Sequence, residues 1–188
     1  MAILYNIKKV VLTELDPKTG APKAEGGVKA TIETAQKAEL EPVLSEGDED
    51  VLRAPEKILA VVRTDDLIYG YDVKLTDNTF GPEVAGLVAG YKVTKGSGAG
   101  QKDKYATPMM TEGFTGKPFK LDIYVANYSG DAIVDYAKVT LNKCIGKFPT
   151  MSIGDGFYAP EFEIKARENS AAKLPIKEIT FVDEIPAE

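Results

Sequence analysis

The sequence contains no histidine, no tryptophan and a single cysteine among 188 residues. Without histidine, the usual general base is missing, together with the commonest neutral metal ligand and every Ser-His-Asp or Cys-His arrangement. Any catalysis would rest on carboxylates, lysine or tyrosine, so no catalytic residue is assigned. With Cys144 alone, an intrachain disulfide is impossible and a cysteine-based zinc site is nearly excluded. No run of about eighteen apolar residues occurs, so no segment is expected to span a membrane. The opening MAILYNIKKVVLTELD has too short an apolar run and the wrong charge order for a signal peptide. The chain is therefore expected in a reducing cytoplasm.

What is present is a globular balance, 44% hydrophobic and 28% charged, which argues against wholesale disorder. The length suits one domain, 1–188, and no composition break divides it. Formal net charge is −6. Proteins that grip nucleic acid or membranes carry basic faces, because neutralising phosphate drives that binding; here the average charge repels it.

Most of the chain alternates with period two, the mark of strands with one buried and one wet face. Tyr71, Val73 and Leu75 share a face in YDVKLT, and Phe119, Leu121, Ile123 and Val125 share one in FKLDIYVA. In KVTLNKCIG the apolar set is Val139, Leu141 and Ile145; in FEIKAR it is Phe162, Ile164 and Ala166. KILAVVR (57–63) is continuously apolar and reads as a strand covered on both sides. Strands are also expected in ILYNIKKVVLTEL, in VKATIETAQKAELEPV (28–43) and in LPIKEITFVDE, with turn signals such as DPKTG, EGG, FTGKP and IGDG between them. ATIETAQKAEL has helix-forming residues, yet its β-branched Thr31, Ile32 and Thr34 favour strand. One short helix is predicted over about 82–89: Pro82 suits its first turn, Glu83 its N-terminus and Gly90 its C-terminal cap. Val84, Leu87 and Val88 form a narrow apolar stripe that must be buried against the sheet, because two turns do not persist alone. The predicted class is thus mainly β: an antiparallel barrel or sandwich with one flanking helix and long loops.

Candidates for chemistry each have a plainer explanation. KGSGAGQKDK (95–104) lacks the Gly-Lys-Ser/Thr order and the following helix of a phosphate-binding loop, and reads as a flexible connection. GDEDV (47–51), Asp65–Asp66 and Asp155–Gly156 lack the calcium-loop spacing, and read as solvated turns. Cys144 shares parity with Thr140 and Asn142, so it faces the wetter side unless a bulge turns it inward. Tyr69 and Tyr71 with Tyr124 and Tyr128 offer an aromatic binding surface, but strand-borne tyrosines more often cap a core with their hydroxyls wet. No metal or cofactor is expected.

The ordered segments, above all GYDVKLTDNTFGPEVAGLVAG and FYAPEFEIKAREN, make the chain resemble the major tail tube proteins of bacteriophages and phage-tail-like particles. The likeness covers most of the chain and carries no catalytic signature. It implies six subunits in a ring, with rings stacked into a tube through which double-stranded DNA passes. It implies self-association, other tail proteins such as a tape measure and a tail terminator as partners, and a place in the virion tail after assembly in the host cytoplasm. An acidic balance fits such a conduit, because like charge disfavours adsorption of DNA. Other readings are a virion decoration protein, a small carbohydrate-binding β-sandwich, weakened by the absent tryptophan, and a carboxylate-only hydrolase. LEPVLSEGDEDVLRAPEK (40–57) is long for a connection and is expected to reach the neighbouring ring, ordering only on assembly. Its candidate contact residues are Glu41, Leu44, Glu46, Asp48, Glu49, Asp50, Leu52 and Arg53.

Overall fold

Strands form where the sequence alternates. The computed structural model describes residues 2–55, 57–79, 81–97, 102–109, 111, 116–147 and 159–186. In chain order the elements are β1 (Ile3–Glu14), β2 (Lys29–Ile32), β3 (Ala35–Ser45), β4 (Glu49–Ala54), β5 (Lys57–Arg63) and β6 (Leu67–Asp77). There follow α1 (Pro82–Val88), β7 (Lys92–Thr94), β8 (Lys104–Ala106), β9 (Phe119–Ser129), β10 (Ala132–Gly146), β11 (Glu161–Ala166) and β12 (Lys177–Val182). Among the described residues the protein is mainly β with one short helix, the expected class.

Eight strands make one sheet, seven of them in the order β2-β1-β9-β10-β11-β6-β3 with β12 beside β10, every pair antiparallel. β10 is long enough to hold β12 along Tyr136–Leu141 and β11 along Cys144–Gly146. β2 and β3 stand at opposite ends of this order, yet only Glu33 and Thr34 separate them. Residues 29–45 are therefore one bent strand that changes edges, the usual way a sheet turns a corner. Cα atoms of β3 also come within 8 Å of β1. The sheet curls into a sandwich-like shape without closing as a barrel. The β-branched Thr31, Ile32 and Thr34 that favour strand lie at and beside this bend.

The curled sheet encloses Val10, Leu12, Ile32, Val73, Leu75, Phe119, Leu121, Ile123, Leu141, Phe162 and Ile164, all buried. α1 seals one end with Val84, Leu87 and Val88, the predicted stripe, and with Ala85. Pro82 opens the helix and Glu83 lies in its first turn. Gly90, at φ 66°, turns the chain out of it, a conformation that costs glycine little. The seat is close: a Cβ on Gly146 would collide with the carbonyl oxygen and side chain of Val88. Burial of a side chain such as Leu87 contributes about 1.5–3 kcal/mol, which holds a helix too short to form alone.

One phase differs from the pattern. Ile145, expected to point inward with Val139 and Leu141, is exposed, and Cys144 is buried instead. The β9–β10 register shifts between Leu141 and Cys144, and this bulge reverses the parity of the residues after it. Asn142 within the bulge donates its side-chain N–H to the Pro175 carbonyl at 2.9 Å, and its own carbonyl accepts from the buried Asn169 at 3.3 Å. Side-chain hydrogen bonds thus stabilise an irregularity that apolar alternation cannot signal.

Candidate interaction surface

The described residues of 40–57 are not a loop that waits for assembly to order: they are mostly strand in the single chain, Glu56 lying outside the described residues. β3 extends to Ser45 and β4 covers Glu49–Ala54, pairing with β5, so 35–77 is one long hairpin with a joint at 46–48 and 64–66. At the joint, the Gly47 N–H donates to Asp66 Oδ1 at 2.9 Å and the Asp48 N–H to Thr64 Oγ1 at 2.8 Å. The Thr64 N–H donates to the Asp48 carbonyl at 3.0 Å. Gly47, Asp48 and Asp66 thus take part in the expected turn chemistry, whereas Glu49, Asp50 and Val51, also expected in a turn, begin β4. Six extended residues carry the β4–β5 arm about 20 Å.

The arm carries apolar side chains on both faces and buries none of those described. Register places Leu52, Ala60 and Val62 on one face, and Val51 and Val61 on the other. Leu52 is 61% exposed, Ile58 60% and Val62 65%. The described side chains of KILAVVR, expected to be covered on both sides, are thus uncovered by their own chain. A continuous apolar run reports that both faces avoid water; it does not say which chain covers them. A free two-stranded ribbon is marginal in water.

The root of the arm is apolar too, with Leu44, Leu67, Ile68 and Tyr69 exposed. The Arg167 guanidinium lies 5.4 Å from the centre of the Tyr69 ring, and its Nη1 donates to the Ala166 carbonyl at 2.8 Å. It also approaches Asp72 Oδ1 at 3.8 Å. Gly70 leaves room for it, since a Cβ there would meet that guanidinium. Tracing the antiparallel order, the starts of β1, β6 and β10 and the ends of β3, β9 and β12 all lie away from α1. Those strand ends expose Ile3, Tyr5, Val134 and Phe181. One end of the molecule is sealed by α1, and the other presents apolar strand ends and the arm.

Of the expected contact residues, Glu41, Leu44, Glu46, Asp48, Asp50, Leu52 and Arg53 are exposed on the arm or its root; the side chain of Glu49 lies outside those described. β7 and β8 pair as a hairpin around the glycine-rich connection, and the Gly96 N–H donates to Asp103 Oδ1 at 3.1 Å; residues 98–101 lie outside the described ones. Asp155 and Gly156 do so as well. Among the described residues no cluster of three or more acidic or cysteine side chains could hold a metal. Burial, with the Asp122 carboxylate nearby, pushes the Cys144 thiol far above its ordinary value, which makes it inert.

The alternation hides one polar group. On the outer face of β9 and β10, the Thr140 hydroxyl donates to Asp122 Oδ1 at 2.6 Å, and Lys120 and Lys138 approach the same carboxylate at 3.2 and 3.5 Å. Lys138 also lies 5.7 Å from the centre of the Tyr124 ring, which is buried rather than wet. Alternating Lys120 and Asp122 is the only sequence signal for this group, and it does not identify the partners on β10.

Compared with known proteins, the chain matches no family model, and no curated protein matches it in sequence.

Proposed function

We propose that this chain is a structural subunit that assembles with copies of itself into stacked rings, forming the tail tube of a phage or phage-tail-like particle. The observation that carries the reading is the β4–β5 arm, apolar on both faces and exposed in the single chain. A ribbon of that composition is stable when another subunit covers it, and edge or extended strands are natural elements for pairing between chains. The sequence resemblance supplies the kind of assembly: hexameric rings, a bore that passes double-stranded DNA, and tape-measure and terminator proteins at its ends.

Charge is consistent with a conduit. The net charge of −6 disfavours adsorption of DNA. On the outer face of β9 and β10, Lys120 and Lys138 share the one Asp122 carboxylate, which offsets one of their two positive charges. The bore lining is expected to be net acidic or neutral.

The test is to replace residues 46–66 with Asn-Gly. Ser45 and Leu67 are register partners, so a two-residue turn can join them. The shortened chain is expected to remain a folded monomer while the full chain forms rings or tubes under negative stain. Tubes from the shortened chain would overturn the role of the arm; a full chain that stays monomeric at high concentration would overturn the assembly.

A further inference from the structure

At the sealed end, α1, β7 and the chain before β2 enclose a groove of about 570 Å³. Its floor is apolar, built from Val28, Gly86, Leu87 and Val93. Lys92, Lys95 and Lys117 line its margin beside Glu83. Lys95 reaches Glu83 at 3.6 Å and Lys117 reaches Glu14 at 3.9 Å, both lysines largely exposed. Charge is distributed unevenly along the chain: 91–109 holds four lysines and one aspartate, whereas 46–66 holds seven acidic residues and three basic ones.

We infer that this groove receives the β4–β5 arm of a second copy of the chain. The two surfaces complement each other twice. The apolar side chains of the arm, Leu52, Ile58 and Val62, match the apolar floor, while the acidic joint (Glu46, Asp48, Asp50, Asp65, Asp66) matches the lysine margin. The arm leaves the end opposite α1, and the groove lies beside α1, so donor and acceptor surfaces differ. Such a heterologous contact propagates head to tail and lets copies stack without limit. The lysines also favour one polarity of stacking: arm against arm would oppose like charges, whereas arm against groove opposes unlike ones. This inference rests on the self-assembly reading and names the surface that the arm meets.

Two variants, each keeping one half of the contact, test it. The acceptor carries Asn-Gly in place of 46–66, so it has a groove and no arm. The donor carries Gly86→Leu and Lys95→Glu, so it has an arm and a filled, less basic groove. A Cβ on Gly86 meets Tyr91 O and Val93 Cγ2 at 3.7 Å, ordinary contact, so a side chain can start there without collision, and a thermal melt of each variant checks that the fold is kept. For trapping, the donor also carries Ala60→Cys, on the face shared by Leu52 and Val62, and the acceptor Val93→Cys; native Cys144 is buried and does not compete. Each variant alone is expected to sediment as a monomer. Mixed under a mild oxidant, they are expected to give a one-to-one disulfide-linked dimer, about tenfold more than when the acceptor also carries Gly86→Leu and Lys95→Glu. Dimers of the donor with itself, or mixed dimers indifferent to the groove substitutions, would overturn the inference. If the unaltered chain forms tubes while the mixed pair fails to link, only the groove assignment falls. If the unaltered chain stays monomeric, the assembly reading falls with it.

Discussion

β9 and β5 are both rich in apolar residues, and they end in opposite environments. In β9 the apolar residues alternate, and Phe119, Leu121 and Ile123 fill the core. In β5 they run together, and Ile58, Val61 and Val62 face solvent. Alternation is what a strand needs when its own chain covers one face, because the other face must stay compatible with water or polar neighbours. A continuous run needs cover on both faces, and here the chain supplies neither. Strands of the main sheet are stabilised by folding; on the proposed assembly reading, the arm is stabilised by association.

Truncation separates the two most sharply. Phe119→Ala is expected to destabilise the monomer by about 3–5 kcal/mol through lost burial and the cavity left behind. Leu52→Ala is expected to change monomer stability by no more than about 0.5 kcal/mol, since its side chain touches mainly water. Assembly should respond strongly to Leu52→Ala even though the monomer does not. Denaturant melts and sedimentation of the two variants measure both quantities; equal destabilisation of the monomers would erase the distinction.

The core end of the comparison is tested again at α1. Leu87→Asp places an unpaired carboxylate among Val84, Val88 and the sheet, at an expected cost of about 2–4 kcal/mol. Gly146→Ala forces apart Gly146 and Val88 backbone that lie nearly in contact, for about 1–3 kcal/mol. A Leu87→Asp melt indistinguishable from that of the unaltered chain would mean that the helix is not seated as described.

How much of the molecule is legible in the sequence depends on the kind of signal involved. Val73, Leu75, Phe162 and Ile164 reach the core as their alternation indicates, and Pro82, Glu83 and Gly90 bound the helix, because these signals are local. Cys144 and Ile145 exchange places because a bulge held by Asn142, Asn169 and Pro175 depends on residues far along the chain. The joint at 46–48 and 64–66 has the acidic and glycine residues of a loop, so in sequence it looks like the end of regular structure. Only pairing with 64–66 shows that the strands resume beyond it. The groove is not legible at all, because Val28, Gly86 and Val93 meet only in three dimensions.

A moderate effect is expected from acid. Glu14, on β1, is buried, and burial alone would raise its pKa; the Val28 N–H at 3.0 Å, Lys23 at 3.2 Å and Lys117 together outweigh this and hold it below its ordinary value. A carboxylate whose folded-state pKa is depressed contributes stability above its ordinary value and loses that contribution as pH falls through the folded one. Glu14→Gln should therefore cost about 1 kcal/mol at neutral pH, a figure kept small because both lysines are solvated. The variant's stability should fall less steeply from about pH 5 downward, and parallel acid limbs in urea melts would count against this account.

The smallest effect concerns the bulge that distinguishes the core from its alternating pattern. Cys144 is fully buried, so a thiol reagent reaches it only when the structure opens. In the native monomer, alkylation should be slower than in the denatured chain by about a thousandfold or more, in keeping with the small open fraction of a stable domain. Asn142→Ala removes the donor to the Pro175 carbonyl, worth about 1 kcal/mol, and should raise the native labelling rate about fivefold. Leu52→Ala should leave that rate unchanged, because the arm shares no packing with the bulge. A labelling rate that rises with Leu52→Ala would show that arm and core open together, and that the two regions are one cooperative unit after all.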